Sequence, residues 1–214
     1  MQENRLLMGG VYMLDMIASQ TSIPSQTKSN EWYTPSKYIE AAREVMGSID
    51  LDPASCELAN QTVKASRYYT KEDDGLSQEW RGNVWLNPPF STKASLRGME
   101  PGRIQGSIIK LWINRVIAEY RQGNVSEAML LTKTDMKANW FNALWEFPIC
   151  FARDHLYFDR PGLAPEKHFF GTCFVYLGFN EQKFIEVFSQ FGTIAKRVNP
   201  APVKPSMCEL WEVE

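Results

Sequence analysis

The sequence predicts an α/β fold with an open sheet, on three observations. Short apolar runs at residues 48–51, 84–86 and 128–131 read as strands. Helical spacing fills Ser36–Met46 and Ile108–Arg121. Two of the strands end on a polar residue followed by proline, at Asp52-Pro53 and Asn87-Pro88. Proline donates nothing to a ladder, so each strand must stop there. Polar strand ends of this kind fit an open α/β sheet, in which ligands bind outside the carboxyl ends of the strands.

A chain of 214 residues suggests one domain with a small extension. Its 44% hydrophobic and 13% aromatic content supplies a substantial core. Mean hydropathy is −0.33 and no long apolar run is present, which argues against a membrane span. The apolar patch from Val11 to Ala18 is broken by Asp15 and lacks the marks of a secretory signal. Four cysteines, widely spaced and without a CxxC pair, fit reduced thiols in a cytosolic protein. Two histidines make a His-based metal site improbable, and no metal is expected. With a net charge of −2, any nucleic-acid binding needs basic residues gathered on one face.

Taken in order, residues 1–30 read as an N-terminal extension and linker, rich in Ser, Thr, Gln and Pro from Ser19 onward. The folded body is expected over residues 31–199, with an arm over 200–214. Thr34 reads as an N-cap and Pro35 as the first residue of the helix that follows, which Gly47 can close. In the strand at 48–51, Ile49 and Leu51 are expected to point one way. Residues 56–65 are compatible with a helix, Tyr68-Tyr69 with a brief strand, and 71–75 with a charged turn. Residues 91–106 form a long connection without periodicity, a length often associated with function. Later come a short aromatic helix at 139–145, strands at 149–151, 155–158 and 172–177, and a helix at 181–190.

Asn87-Pro88-Pro89-Phe90 carries the most specific chemistry. Asn87 offers an acceptor and a donor, Pro88 stiffens the backbone carbonyls beside it, and Phe90 supplies a flat apolar face. That set suits the amino group of a flat heterocycle. The same four residues also read as plain loop punctuation, Asp52-Pro53 as a turn, and the acids at 73–74 as a solvated loop.

The order of motifs adds to this. Glu31-Trp32-Tyr33-Thr34-Pro35, Asp50-Leu51-Asp52-Pro53-Ala54, Asp74-Gly75-Leu76 with Trp80, and Trp85-Leu86-Asn87-Pro88-Pro89-Phe90 together resemble the phage-type DNA N6-adenine methyltransferases, the phage Dam family. The likeness runs from Glu31 to about Gly178. It implies a Rossmann-like, S-adenosylmethionine-dependent methyltransferase fold, mostly parallel with one antiparallel strand. It implies double-stranded DNA as partner and a cytoplasmic location, in a bacterial host if the gene is a phage's.

Carried over by motif, Asn87, Pro88, Pro89 and Phe90 would be catalytic. Trp32, Thr34, Pro35, Asp52, Pro53, Ala54, Asp74 and Leu76 would join Asn87 at the cofactor, with Asp74 accepting from its adenine amino group. Phe158 would correspond to an aromatic stacking on the target base, beside Phe90. No glycine-rich loop follows Asp52, a departure from many methyltransferases. The implied chemistry places adenine N6 against the Asn87 side-chain oxygen and the Pro88 carbonyl, after the base is turned out of the duplex.

For sequence choice, Arg97 and Arg103 in the 91–106 connection are the candidate DNA contacts, or else solvated basic residues on a loop. Rival readings are an RNA or protein-glutamine methyltransferase, which share the Asn-Pro-Pro-aromatic motif, and a non-catalytic DNA-binding decoy of the same fold. Oligomeric state is left open.

Overall fold

The computed structural model describes residues 32–90, 108–160, 162–167 and 170–198. Helix α1 (Ser36–Met46) turns Tyr38, Ile39, Ala42, Val45 and Met46 inward and ends at Gly47, whose φ of +82° is easy only for glycine. The expected capping role of Thr34 is not met. The helix begins one residue later than expected, so Pro35 takes the cap position without a side-chain bond, and the Thr34 hydroxyl accepts instead from Asn87.

Strand β1 is only Leu51–Asp52. Residues 48–50 are irregular, yet their backbone is bonded: Ser66 N–H donates to the Ile49 carbonyl at 3.1 Å and Asp50 N–H to the Asn83 carbonyl at 2.8 Å. Strict alternation therefore starts only at Leu51. Ile49 and Leu51 fall into different cores, contrary to the expectation that they point one way.

Helix α2 (Glu57–Val63) is capped by the Cys56 thiol, which accepts from Ala59 N–H at 3.5 Å. Then follow β2 (Arg67–Tyr68), the turn-rich stretch 71–77, β3 (Gly82–Leu86), α3 (Ile108–Arg121) and β4 (Val125–Lys133). The aromatic segment forms a 3-10 helix, Phe141–Glu146. After it come β5 (Ile149–Ala152), a hairpin of β6 (Tyr157–Arg160) and β7 (Leu163–Lys167), then β8 (Thr172–Leu177), α4 (Glu181–Phe188) and β9 (Gly192–Ala195).

Seven strands form one sheet in the order β2-β1-β3-β4-β8-β5-β9, and β6 pairs with β7 in a separate ribbon. Strands β2, β1, β3 and β4 pair in parallel, whereas β8 runs antiparallel to both β4 and β5, and β9 antiparallel to β5. Five strands thus share one direction. Two oppose them, β8 and β9, rather than the one expected. The architecture is a Rossmann-like α/β fold, mostly parallel, with helices on both faces.

Both faces of this sheet are covered, which is why its strands read as unbroken apolar runs. Trp85, Met129, Leu131, Phe174 and Tyr176 point to the side of α1 and α4. Val84, Leu86, Leu130, Val175 and Leu177 point to the side of α3 and the 3-10 helix. Free thiols Cys150 and Cys173 are buried among them, and burial pushes both up to about 12, so neither is a nucleophile near neutral pH.

Candidate active site

From β1 the chain passes through α2 to β2 on one side, then returns in β3 to the other side of β1. Such a reversal opens a crevice at the carboxyl ends of the two strands. The parallel register pairs Leu51 with Val84. Asp52-Pro53-Ala54 and Asn87-Pro88 therefore leave the sheet next to each other, and the two motifs singled out in the sequence meet at one end of it.

Asn87 is half-buried, and its amide nitrogen donates to the Trp32 carbonyl at 3.2 Å and to the Thr34 hydroxyl at 3.3 Å. A backbone carbonyl can only accept, so the NH2 end of the amide must face Trp32. The side-chain oxygen is thereby turned the other way, and no described residue donates to it. Pro88, buried beside it, ends β3, and Pro89 is exposed.

Segment 32–34 is itself fastened on several sides. Tyr33 exchanges two backbone bonds with Asp159 of β6, at 3.0 and 2.8 Å. Its hydroxyl lies 3.3 Å from the Cys56 sulfur at the start of α2. Thr34 is buried, at 6% exposure. Pro35 then hands the chain to α1.

Asp52 is 3% exposed. Burial raises its pKa to about 7, against the Ser55 hydroxyl and the Ala54 amide, which favour the charged form. Ala54 N–H donates to this carboxylate at 3.2 Å. A buried carboxylate poised near neutrality at a strand end is a candidate functional position.

The turn that carries Asp74 is pressed onto the same strand end. A Cβ at Gly75 would lie 1.9 Å from the Pro53 carbonyl oxygen, so only glycine allows this approach. Buried Trp80 locks the turn by donating its indole N–H to the Gly75 carbonyl at 2.8 Å. Asp74 itself adopts a left-handed φ of +52° and is exposed, and half-buried Leu76 packs on the α3 side.

Phe90 is half-buried, its ring 5.6 Å from Phe170 in an edge-on contact. Phe170, just ahead of β8, was not singled out in the sequence; the aromatic doublet Phe169-Phe170 before a glycine was the available signal. Phe158 requires a correction. It is fully buried in the α1-side core, edge-on to Trp32 at 6.0 Å, and so has no exposed face for a base. Arg97 and Arg103 lie outside the described residues. Among the described residues no His, Cys, Asp and Glu side chains gather to hold a metal ion, and no helix is long and apolar enough to cross a membrane.

The family model of the DNA N-6-adenine-methyltransferases (Dam) matches residues 20–153. The chain belongs to the Dam family. It is thus placed among DNA adenine methyltransferases by more than half its length, and the matched stretch contains β1, β3 and every site residue from Trp32 to Phe90. No curated protein matches the chain. In this Dam-family protein the β6–β7 hairpin, β8, α4 and β9 follow the matched segment, so the hairpin that grips Tyr33 is read from this structure alone.

Proposed function

We propose that the protein methylates adenine N6 in double-stranded DNA using S-adenosylmethionine, with the target base turned out of the duplex into the cleft between β1 and β3. The observation that carries this is the orientation of the Asn87 amide: two acceptors hold its nitrogen, so its oxygen faces away from them as an acceptor.

The groups around the cleft fit the cofactor's chemistry. Asp52 and Asp74 both accept hydrogen bonds, which suits a cationic molecule bearing hydroxyls and an amine. A phosphate-bearing nucleotide would meet two carboxylates and no glycine-rich cradle after Asp52, so the same set disfavours it. Asp52, with Pro53 and Ala54, would hold the cofactor at the end of β1; Asp74 and Leu76 would approach it from the turn, and Trp32, Thr34 and Pro35 from the opposite wall. When bound, S-adenosylmethionine supplies a methyl group on a positively charged sulfur.

The protein's own part is placement. N6 is a weak nucleophile because its lone pair is conjugated with the purine ring. Acceptance of its two protons by the Asn87 oxygen and the Pro88 carbonyl favours a tetrahedral nitrogen with an available lone pair. These acceptors are set by the Trp32 and Thr34 bonds and by the prolines before charge develops, so little reorganisation is left for the reaction. Phe90 is the platform on which the extruded base would stack.

A DNA backbone has cations to meet on the same edge. Lys133, paired with Asp135, ends β4, Lys137 follows it, Arg153 follows β5, and Lys37 lies in the first turn of α1. This local gathering fits a polyanion despite the net charge of −2. The division into an extension at 1–30, a methyltransferase domain at 31–199 and an arm at 200–214 belongs to the same proposal.

Asn87→Ala tests it. The variant is expected to bind S-adenosylmethionine with unchanged affinity by calorimetry and to lose methyl transfer to DNA by at least about 100-fold, as when a donor or acceptor placed for a transition state is removed. Unchanged transfer would remove Asn87 from the mechanism. Labelled-methyl transfer to DNA, RNA and protein, run side by side, decides the substrate class.

A further inference from the structure

We infer that Arg160 is a positioning residue for the Asn87 amide, acting through Trp32; this rests on the role proposed for Asn87. The connection is continuous. Arg160 ends β6, and its guanidinium sits over the Trp32 ring, 4.9 Å from the centroid. Its side chain is only 8% exposed and is paired with Glu166 of β7, so it is anchored on the hairpin. Phe158, two residues earlier, meets the same indole edge-on at 6.0 Å.

Trp32 is thus held on its ring by two residues of one strand, while its carbonyl accepts from the Asn87 nitrogen at 3.2 Å. Between these, the Tyr33–Asp159 backbone pair fixes the spacing of the hairpin and segment 32–34. An arginine suits the task because a planar guanidinium stacks on an indole and stays charged at every working pH. If the Trp32 ring lost this contact, its carbonyl would lose its fixed place, and the Asn87 amide would lose one of the two partners that point its oxygen at the substrate. A displacement well below a hydrogen-bond length suffices to slow a reaction that depends on placement.

The test uses the full-length chain, with unmethylated genomic DNA and labelled S-adenosylmethionine as probes. Arg160→Ala is expected to lower kcat roughly 10- to 100-fold while the KM for DNA and the cofactor Kd stay within about twofold. Arg160→Lys, which keeps a cation over the ring, is expected to recover most of the loss, and Arg160→Gln, which keeps the length without the charge, takes the place of the alanine if that variant does not fold. Combining Arg160→Ala with Trp32→Ala is expected to cost no more than the larger single effect, because both act on one contact.

Unchanged kcat in the variants that remove the charge from position 160, or additive losses in the pair, would overturn the inference. So would a loss confined to cofactor or DNA binding. Asn87→Ala separates the two claims. If that variant still methylates, the proposed role of Asn87 fails; if it is dead while Arg160→Ala is fully active, only the role of Arg160 fails.

Discussion

Asp52 is the residue whose charge state the fold most directly controls. Its ordinary value of 3.8 is raised to about 7 by burial. Between those values the folded protein keeps a proton that the unfolded chain has released. Stability contributed by this group therefore falls as pH rises through that window. Denaturant unfolding at pH 5 and pH 8 is expected to show the loss, and Asp52→Asn is expected to flatten it. A cofactor that binds the ionised carboxylate would show the reverse trend: calorimetric affinity for S-adenosylmethionine rises as pH climbs through about 7, and the asparagine variant loses both that rise and most of the affinity. Thr34 shows how far a residue-level reading reaches. Its position before proline and a helix signalled a cap, but the helix starts one residue later, with Pro35 at the cap, and the Thr34 hydroxyl accepts instead from Asn87, 53 positions along the chain. No local pattern carries that.

Among the elements, those buried on two faces were legible and those on edges were not. The runs in β3, β4 and β8 are apolar because each side chain has a core to enter, and α3 buries Ile109, Trp112, Ile113, Val116 and Ile117 along one stripe. In contrast, β7 reads Leu163-Ala164-Pro165-Glu166-Lys167 with every residue exposed, and β9 is a four-residue edge strand; neither has a burial pattern to betray it. The turn holding Asp74 was legible as a turn, but its docking onto β1 was not, since that depends on the Gly75–Pro53 approach and the Trp80 bond. Gly75→Ala is expected to push this turn off the strand end and to weaken cofactor binding about tenfold or more in calorimetry, with a smaller effect on the melting temperature. By comparison Ile113→Ala, which empties a fully buried site on α3, is expected to cost roughly 2–5 kcal/mol in denaturant unfolding with little change in cofactor affinity per folded molecule.

At the scale of the whole molecule, the central strand β4, through its pairing with β8, ties the parallel half to the antiparallel half. Buried on both faces, these strands are expected to hold the slowest-exchanging amides, whereas the β6–β7 hairpin, paired with no strand of the main sheet, is expected to exchange sooner. Cofactor addition is expected to slow exchange at residues 52–54 and 74–76, read by mass spectrometry of peptides. The cleft itself was foreseeable in outline because two strands announced their ends with a polar residue and a proline. What surrounds the two strand ends was not, because segment 32–34 reaches Asn87, the turn at 71–77 reaches Pro53 and Phe170 reaches Phe90 only once the strand order is known.

Segment 32–34 has one more consequence. Helix α1 anchors itself through its own apolar stripe, so a proteolytic cut between Thr34 and Ser36 would spare the sheet and its two cores. What would then hold the tether on Asn87 is the hairpin alone, through the Tyr33–Asp159 pair and the Arg160 contact on Trp32. Such a clipped molecule would still melt as a cooperative unit, and its remaining turnover would report how firmly the hairpin keeps its grip on the severed segment.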